Sequence, residues 1–225
     1  MISAVTTSSL LLVLLSLPTS DGFCPLACEC NEVALSVSCA RSELEVLPIT
    51  LNPGIQRLQL QNNNIRAVDA ALGFYAQLQY VDLSHNQLIS LPDRGFIQQK
   101  KLIELRLSNN KIFRVTNSTF DGLKTVTILS LRKNFLEELS SKVFSSLTSV
   151  EELDLGQNRI KSVEATTFAG LTHLRVLYLD DNDLQVKHEI FSPSRYFPKY
   201  FLGGSQPRTR PPPPPSRAQS GSEQH

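Results

Sequence analysis

Residues 102–112 read LIELRLSNNKI, and this stretch decides the fold. It has the form L-x-x-L-x-L-x-x-N-x-L, with isoleucine in the last apolar position. Six copies of this motif follow one another along the chain, and their asparagines are Asn63, Asn86, Asn110, Asn134, Asn158 and Asn182. Successive asparagines are 23 residues apart once and 24 residues apart four times. Regular repetition at such a period is typical of a solenoid, in which each copy forms one coil.

Each motif predicts one short β-strand. Leu105 and Leu107 are two positions apart, so in an extended chain both point to one side and Arg106 points to the other. One strand cannot bury its leucines alone, but stacked copies form a parallel sheet with strands about 4.8 Å apart and a continuous leucine core. The asparagine lies where the chain leaves the strand. We expect its side-chain amide to hydrogen-bond backbone groups of adjacent coils.

A second apolar column supports the same register. Its members fall midway between successive motifs at intervals of 24 residues: Leu72, Phe96, Phe120, Phe144 and Phe168. We expect this column to form a buried spine. The sequence therefore predicts an α/β-type solenoid, a curved stack of repeats with a parallel sheet on its concave side.

The first 22 residues have the features of a secretory signal peptide. Residues 10–17 (LLLVLLSL) form an apolar run that gives way to Pro18, Ser20 and Gly22. This run is far shorter than the roughly 20 residues that a membrane-spanning helix needs, and no later stretch is longer or more apolar. We therefore expect cleavage near residues 20–22 and secretion of the chain.

All four cysteines follow the proposed cleavage point within one short segment, as Cys24, Cys28, Cys30 and Cys39. An oxidising compartment favours two disulfides. Zinc is the rival for a four-cysteine cluster, but the Cys28-Glu29-Cys30 spacing lacks the usual two-residue gap. We predict a cysteine-rich cap over residues 23–53, followed by the six repeats over residues 54–190, with no metal site and no cofactor.

These features resemble the extracellular leucine-rich-repeat family of animals, the 24-residue class with an amino-terminal cysteine cap found in Slit-like, Nogo-receptor-like and proteoglycan-like proteins. The resemblance covers roughly residues 24–184. It implies a leucine-rich-repeat solenoid, a cap that shields the edge of the first strand, and pairing of Cys24 with Cys30 and of Cys28 with Cys39. It also implies a role in binding, although the same scaffold serves many partners.

The carboxyl end departs from the family pattern, because the family commonly closes with a second cysteine-rich cap and no cysteine follows Cys39. The sequence begins a further unit as far as Phe191, but no further strand motif follows. Two interpretations are open: residues 191–202 fold back as an improvised aromatic cap, or the chain is a shortened product of a longer receptor. Residues 203–225 include five consecutive prolines and are predicted to be a disordered tail with polyproline II character.

The positions beside and between the strand leucines should face the concave side. They form three columns: Arg57, Tyr80, Glu104, Ile128, Glu152, Val176; then Gln59, Asp82, Arg106, Ser130, Asp154, Tyr178; then Gln61, Ser84, Ser108, Arg132, Gly156, Asp180. We expect Tyr80, Ile128, Val176 and Tyr178 to be exposed anchors for a partner. An acidic end of Glu152, Asp154, Asp180 and Asp181 should lie opposite Arg57, Arg106 and Arg132. The alternative is an ordinary solvated sheet face.

From these columns we take the candidate binding residues to be Tyr80, Asp82, Glu104, Arg106, Ile128, Arg132, Glu152, Asp154, Val176, Tyr178 and Asp180. Residues 180–183 are rich in acidic groups, but Asn182 belongs to the asparagine column and no EF-hand loop is present, so calcium binding is not expected. Asn117-Ser118-Thr119 is the N-glycosylation acceptor, between a strand and the spine.

Composition and motifs favour binding over catalysis. A net charge of +1 and the lack of a basic run argue against nucleic acid as the partner. The histidines fall at unrelated repeat positions, and no HExxH, GxSxG or phosphate-binding loop occurs in the sequence. We therefore expect a secreted module that binds an extracellular protein or matrix component on its concave face. The competing hypothesis is the truncated ligand-binding ectodomain of a membrane receptor or adhesion protein.

Overall fold

A computed structural model describes residues 24–164 and 166–184 and the backbone of residues 199–201. Within these residues the chain is a solenoid built almost entirely from short strands and turns. The strands are β1 (Glu29–Asn31), β2 (Ser36–Ser38), β3 (Arg57–Gln59), β4 (Tyr80–Asp82), β5 (Glu104–Arg106), β6 (Ile128–Ser130), β7 (Glu138–Leu139), β8 (Glu152–Asp154), β9 (Ser162–Val163), β10 (Val176–Tyr178) and β11 (Lys199–Phe201). One 3₁₀ helix covers Ala70–Phe74. No helix in this part of the chain is long and apolar enough to cross a membrane.

The principal sheet has nine strands in the order β1-β2-β3-β4-β5-β6-β8-β10-β11. Each of the six motifs contributes one strand, and the motif strands pair in parallel with equivalent residues side by side, as Leu105 does with Leu129. The leucines of this row are buried, as the alternation predicts. A second, two-stranded sheet pairs β7 with β9 on the flank of the solenoid. The predicted solenoid with a parallel sheet is confirmed.

The amino-terminal cap extends the principal sheet instead of merely covering it. Strands β1 and β2 form an antiparallel hairpin, and β2 pairs in parallel with the first motif strand β3. Disulfides join Cys24 to Cys30 and Cys28 to Cys39, which is the pairing that the family resemblance implied. Cys39 and Val37 are buried against the first repeat. The hairpin thereby satisfies the backbone groups that β3 would otherwise expose at the edge of the sheet.

The asparagine column forms the hydrogen-bond ladder that the motif predicts. Asn134 is representative: Nδ2 donates to the carbonyl oxygens of Leu131 and Leu107, at 2.9 and 3.0 Å, and Oδ1 accepts from the backbone N–H of Ile112 at 3.0 Å. The residue before each ladder asparagine has a left-handed backbone with φ between 52° and 60°. This turn directs the amide inward, so each asparagine links its own coil to the preceding one.

The apolar spine is also present. Leu72, Phe96, Phe120 and Phe144 are completely buried, and Phe168 is half-buried. The ring of Phe144 stacks between its neighbours, with centroids 5.8 Å from Phe120 and 6.0 Å from Phe168. The spine thus packs each coil onto the next on the side away from the asparagine ladder.

Gln99 interrupts a buried leucine column that runs beside the spine. The same position in the next three repeats is Leu123, Leu147 and Leu171. Gln99 is completely buried; its Nε2 donates to the carbonyl of Leu72 at 2.8 Å, while its Oε1 has no hydrogen-bond partner within the described part of the chain. A buried, unpaired carbonyl oxygen lowers the stability of the fold.

We expect Gln99→Leu to raise the free energy of unfolding by about 1 kcal/mol, because it removes the unpaired oxygen and adds apolar contacts. The carbonyl of Leu72 keeps a partner, since it also accepts from the N–H of Tyr75. Urea denaturation measures the change. The exposed neighbour substitution Gln98→Leu is the control and should have little effect. A destabilised Gln99→Leu protein would indicate that water pairs with Oε1.

A strand follows the sixth repeat although no further leucine motif occurs there. Strand β11 pairs in parallel with β10, and its Tyr200 backbone lies opposite Leu177. This offset is 23 residues, the same interval that separates Asn63 from Asn86. Parallel pairing requires only the free N–H and C=O groups of β10, so a strand forms there without the leucine motif. The remaining residues of the proposed aromatic cap, the signal segment and the proline-rich tail lie outside the described residues.

Candidate protein-binding face

The register of the sheet places the predicted concave residues in continuous rows. The first row is Arg57, Tyr80, Glu104, Ile128, Glu152 and Val176, and the second is Gln59, Asp82, Arg106, Ser130, Asp154 and Tyr178. These are the first two predicted columns, in the predicted order. The third column follows at the ends of the strands, where its side chains contact the second. The candidate binding residues therefore share one surface.

Tyr80 anchors the amino-terminal half of this face, but it is not the exposed anchor that we expected. Its side chain is only 8% exposed. The guanidinium carbon of Arg57 lies 3.6 Å from the ring centroid and that of Arg106 lies 5.7 Å away. The long side chains from both neighbouring repeats cover the ring, an arrangement that cation–π attraction favours.

Hydrogen bonds complete the cluster around Tyr80. The Tyr80 hydroxyl donates to Asp82 Oδ2 at 3.2 Å, and Asp82 Oδ1 accepts from the N–H of Ser84. Burial and, secondly, the nearby Asp82 carboxylate raise the pKa of the Tyr80 hydroxyl. Arg106 forms an ion pair with Glu104. In this half of the face, Arg106 is therefore paired with a carboxylate, and the Arg57 guanidinium lies over the Tyr80 ring.

The carboxyl-terminal half contains a charge network that the sequence columns did not predict. Arg132 donates to Asp180 through both terminal nitrogens, at 3.0 and 2.6 Å, and its NH1 also donates to Asp154 at 3.4 Å. The expectation that Arg132 lies opposite the acidic end is therefore wrong. The Arg132 guanidinium lies within that end, because its long side chain reaches along the sheet to the repeat after next.

Gly156 makes this reach possible. A Cβ atom at position 156 would lie 2.2 Å from Arg132 NH1 and 2.6 Å from an Asp180 carboxylate oxygen. Any larger side chain would therefore displace the bidentate contact. The signal was present in the third column, where the glycine stands between an arginine and an aspartate at successive repeat positions. The contact is not evident from the columns alone, because it joins two repeats that are not adjacent.

The two aspartates of the network have opposite pKa shifts. Burial raises the pKa of the Asp154 carboxyl, although the Gly156 N–H and Arg132 both oppose this effect. The hydrogen bond from Arg132 lowers the pKa of the Asp180 carboxyl. Arg132 thus stabilises the anionic form of Asp180. The Asp154 carboxylate is partly desolvated, and its hydrogen bonds offset only part of the cost of that desolvation.

The lowered pKa of Asp180 predicts a pH dependence of stability. Because the folded-state pKa lies below that of the unfolded chain, its stabilising contribution is complete above the ordinary aspartate range and is lost as the pH falls through the lowered pKa. We expect Asp180→Asn to be less stable than the native chain at pH 7, with the difference shrinking at acidic pH. Thermal unfolding of both proteins between pH 7 and pH 3 measures this difference in stability. A difference that does not depend on pH would contradict the assignment.

The other candidate residues surround this network. Ile128, Val176 and Tyr178, which we expected to be exposed, are half-buried and so only partly exposed. Glu152 is half-buried, and the exposed Asp181 accepts from Gln157 Nε2 at 3.2 Å. Ser108 and Ser130 share a hydrogen bond of 2.7 Å that continues the polar row toward Asp154. In residues 24–164 and 166–184, no group of three His, Cys, Asp or Glu side chains is placed to hold a metal ion.

Comparison with known proteins identifies the class of the molecule. The leucine-rich-repeat family model matches residues 53–112, 76–132 and 124–184, which together span more than half of the chain. The chain therefore belongs to the leucine-rich-repeat family.

Several animal relatives are similar to part of this chain. Human reticulon-4 receptor-like 2 is 35% identical over 107 residues, which is 48% of this chain and 25% of that protein. Oligodendrocyte-myelin glycoprotein of Mus musculus is 38% identical over 86 residues, 38% of this chain and 20% of that protein. Leucine-rich repeat-containing protein 3B of Danio rerio is 33% identical over 103 residues, 43% of this chain and 40% of that protein. The similarity thus spans less than half of each relative.

Proposed function

We propose that this protein is a secreted binding module that recognises an extracellular protein or matrix component on the concave face of its sheet. The main observation in support of this proposal is the excess of carboxylates over cationic groups at one end of that face. Repeats four to six place Glu152, Asp154 and Asp180 there, with Arg132 as their countercharge. A partner with a basic patch would complement this surplus of carboxylates.

The chemistry of Asp154 supports a basic partner. Its raised pKa means that the carboxylate bears a desolvation cost in the free protein. A cationic side chain from a partner would offset that cost without requiring Arg132 to leave Asp180. Half-buried Val176 and Ile128 lie beside these charges in the first row. Apolar groups bordered by charges are typical of protein interfaces.

The disulfide-bonded cap and the animal relatives support an extracellular location. Two disulfides within sixteen residues of the chain are stable in an oxidising compartment. The relatives include a receptor-like protein and a myelin glycoprotein, as their names state. The same evidence favours binding over catalysis as the activity of the fold.

Charge reversal on the concave face tests the proposal. The protein is secreted from animal cells, fused to an antibody Fc segment, and screened against a panel of extracellular proteins and basic matrix proteins. For a partner so identified, Glu152→Lys should weaken binding by about tenfold or more, because it places like charges in contact.

The control is the same exchange outside the sheet, Glu45→Lys, at an exposed position in the segment before the first repeat. It should leave the affinity unchanged. A photo-reactive residue at Val176 should cross-link to the partner, and one at the exposed Thr148, on the segment between spine and strand, should not. Equal affinity of the two lysine variants, or cross-linking from Thr148 alone, would refute the concave site.

A second candidate function is the ligand-binding part of a membrane receptor or adhesion protein. The relationship to human reticulon-4 receptor-like 2, of which 25% is covered, favours it. The two candidates differ in the fate of the native product. A secreted module accumulates in the medium, whereas a receptor is labelled by surface biotinylation of intact cells. Detection with an antibody against residues 24–184 distinguishes them.

A further inference from the structure

A groove of about 750 Å³ lies on the flank of the solenoid, away from the residues of the concave rows. Its volume is within the range of about 300–1,000 Å³ that small-ligand sites occupy. The small sheet of β7 and β9 contributes to its wall, through Leu139 and Ser162, and residues 113–118 form another part of the wall. The groove is open, and most of its lining is polar. Such a site suits a hydrated, polar occupant better than an apolar helix.

The glycosylation acceptor Asn117 lines this groove. Its side chain is exposed, and the amide oxygen Oδ1 accepts from the hydroxyl of Ser140 in the next repeat at 3.0 Å. This hydrogen bond involves the oxygen and orients the amide. It does not involve the nitrogen Nδ2, which is the atom that carries an N-linked sugar. The attachment atom is therefore held at the margin of the groove.

Phe113 provides an apolar surface in the same groove. Its side chain is 54% exposed, so a large part of the ring is free to contact an occupant. Ser140, Glu137 and Glu138 also line the groove. A sugar ring has an apolar C–H face that packs on an aromatic ring and hydroxyl groups that hydrogen-bond to such polar side chains. The lining matches both properties.

We propose that Asn117 carries an N-linked glycan whose first N-acetylglucosamine units occupy this flank groove and pack on Phe113. In the attachment step, Nδ2 forms a bond to the anomeric carbon of the first sugar and releases one proton to a base. The bond from that carbon to the pyrophosphate oxygen of a lipid-linked oligosaccharide breaks, and the lipid pyrophosphate leaves. The glycan then covers the flank and leaves the concave rows open.

The position of Thr119 limits when the glycan can be attached during folding. Transfer to the sequon requires its hydroxyl residue to be accessible, yet Thr119 is completely buried and its Oγ1 accepts from the N–H of Thr116 at 2.8 Å. The sugar must therefore be attached before the third and fourth repeats close over this threonine. The inference rests on the proposed export of the chain but not on the concave binding site, so the two can fail separately.

The experiment uses the full chain expressed in animal cells. Mass spectrometry should find a glycopeptide at Asn117, lost in Asn117→Gln and retained in the matched variant Ser118→Ala. Hydrogen exchange is then compared between the glycosylated protein and the Asn117→Gln protein. We expect slower exchange in residues 137–140 and 162–164 of the glycosylated form, and loss of most of this protection in Phe113→Ala, which keeps the glycan. Unmodified Asn117, or a glycan that protects neither segment, would overturn the proposal.

Discussion

Asn134→Ala is expected to lower the free energy of unfolding by about 3 kcal/mol, since it leaves the buried N–H of Ile112 without its partner and removes two further hydrogen bonds. The side chain is 3% exposed. Its removal takes away the acceptor for the N–H of Ile112 and one of the two amide donors at each of the carbonyls of Leu131 and Leu107, which keep a donor from the neighbouring ladder asparagine. Chemical denaturation followed by circular dichroism measures the loss.

Asn64→Ala is the matched control for this ladder variant. Asn64 is half-buried on the flank, and its Oδ1 accepts one hydrogen bond, from the side chain of Gln87 at 2.9 Å. Its loss should change the free energy of unfolding by about 0.5 kcal/mol or less, as is usual for surface positions. If the two alanine variants lost the same stability, the ladder would not be the main polar link between coils.

Phe144→Ala is expected to destabilise the protein by about 3–5 kcal/mol, the usual cost of removing a buried phenylalanine ring. Phe144 is completely buried and contacts the rings of Phe120 and Phe168 in the adjacent coils. The cavity would therefore interrupt the spine in the middle of the stack. Because coils stabilise one another through their interfaces, we also expect unfolding to become less cooperative.

Two further variants make this result specific. Phe144→Leu should recover much of the stability, because leucine already occupies the spine at position 72. Phe135→Ala removes a ring that is 38% exposed and lies 4.4 Å from the guanidinium of Arg159, and it should cost only about 1 kcal/mol. A Phe135 variant as unstable as the Phe144 variant would argue that the flank, and not the spine, holds the repeats together.

The concave face could be predicted in part. The strand register follows from repeat spacing, so the neighbours of Glu152 in its row were available from the sequence. The exposure of Tyr80 could not be predicted from the sequence, because it depends on the conformations of Arg57 and Arg106 in the coils on either side. The position of the Arg132 guanidinium likewise depends on the space over Gly156. Long side chains cross between columns, and column position alone does not specify where their charges lie.

The sequence by itself determined the period, the strand rows, the asparagine ladder and the spine, because each follows from local alternation and from the need of every coil to bury one apolar face and pair its backbone. It also indicated the cysteine cap. Only the tertiary structure decided the burial of Tyr80, the bridge from Arg132 to Asp180, the flank groove beside Asn117 and the extra strand Lys199–Phe201. These features arise between coils, where side-chain reach, free volume and unpaired strand edges decide which groups meet.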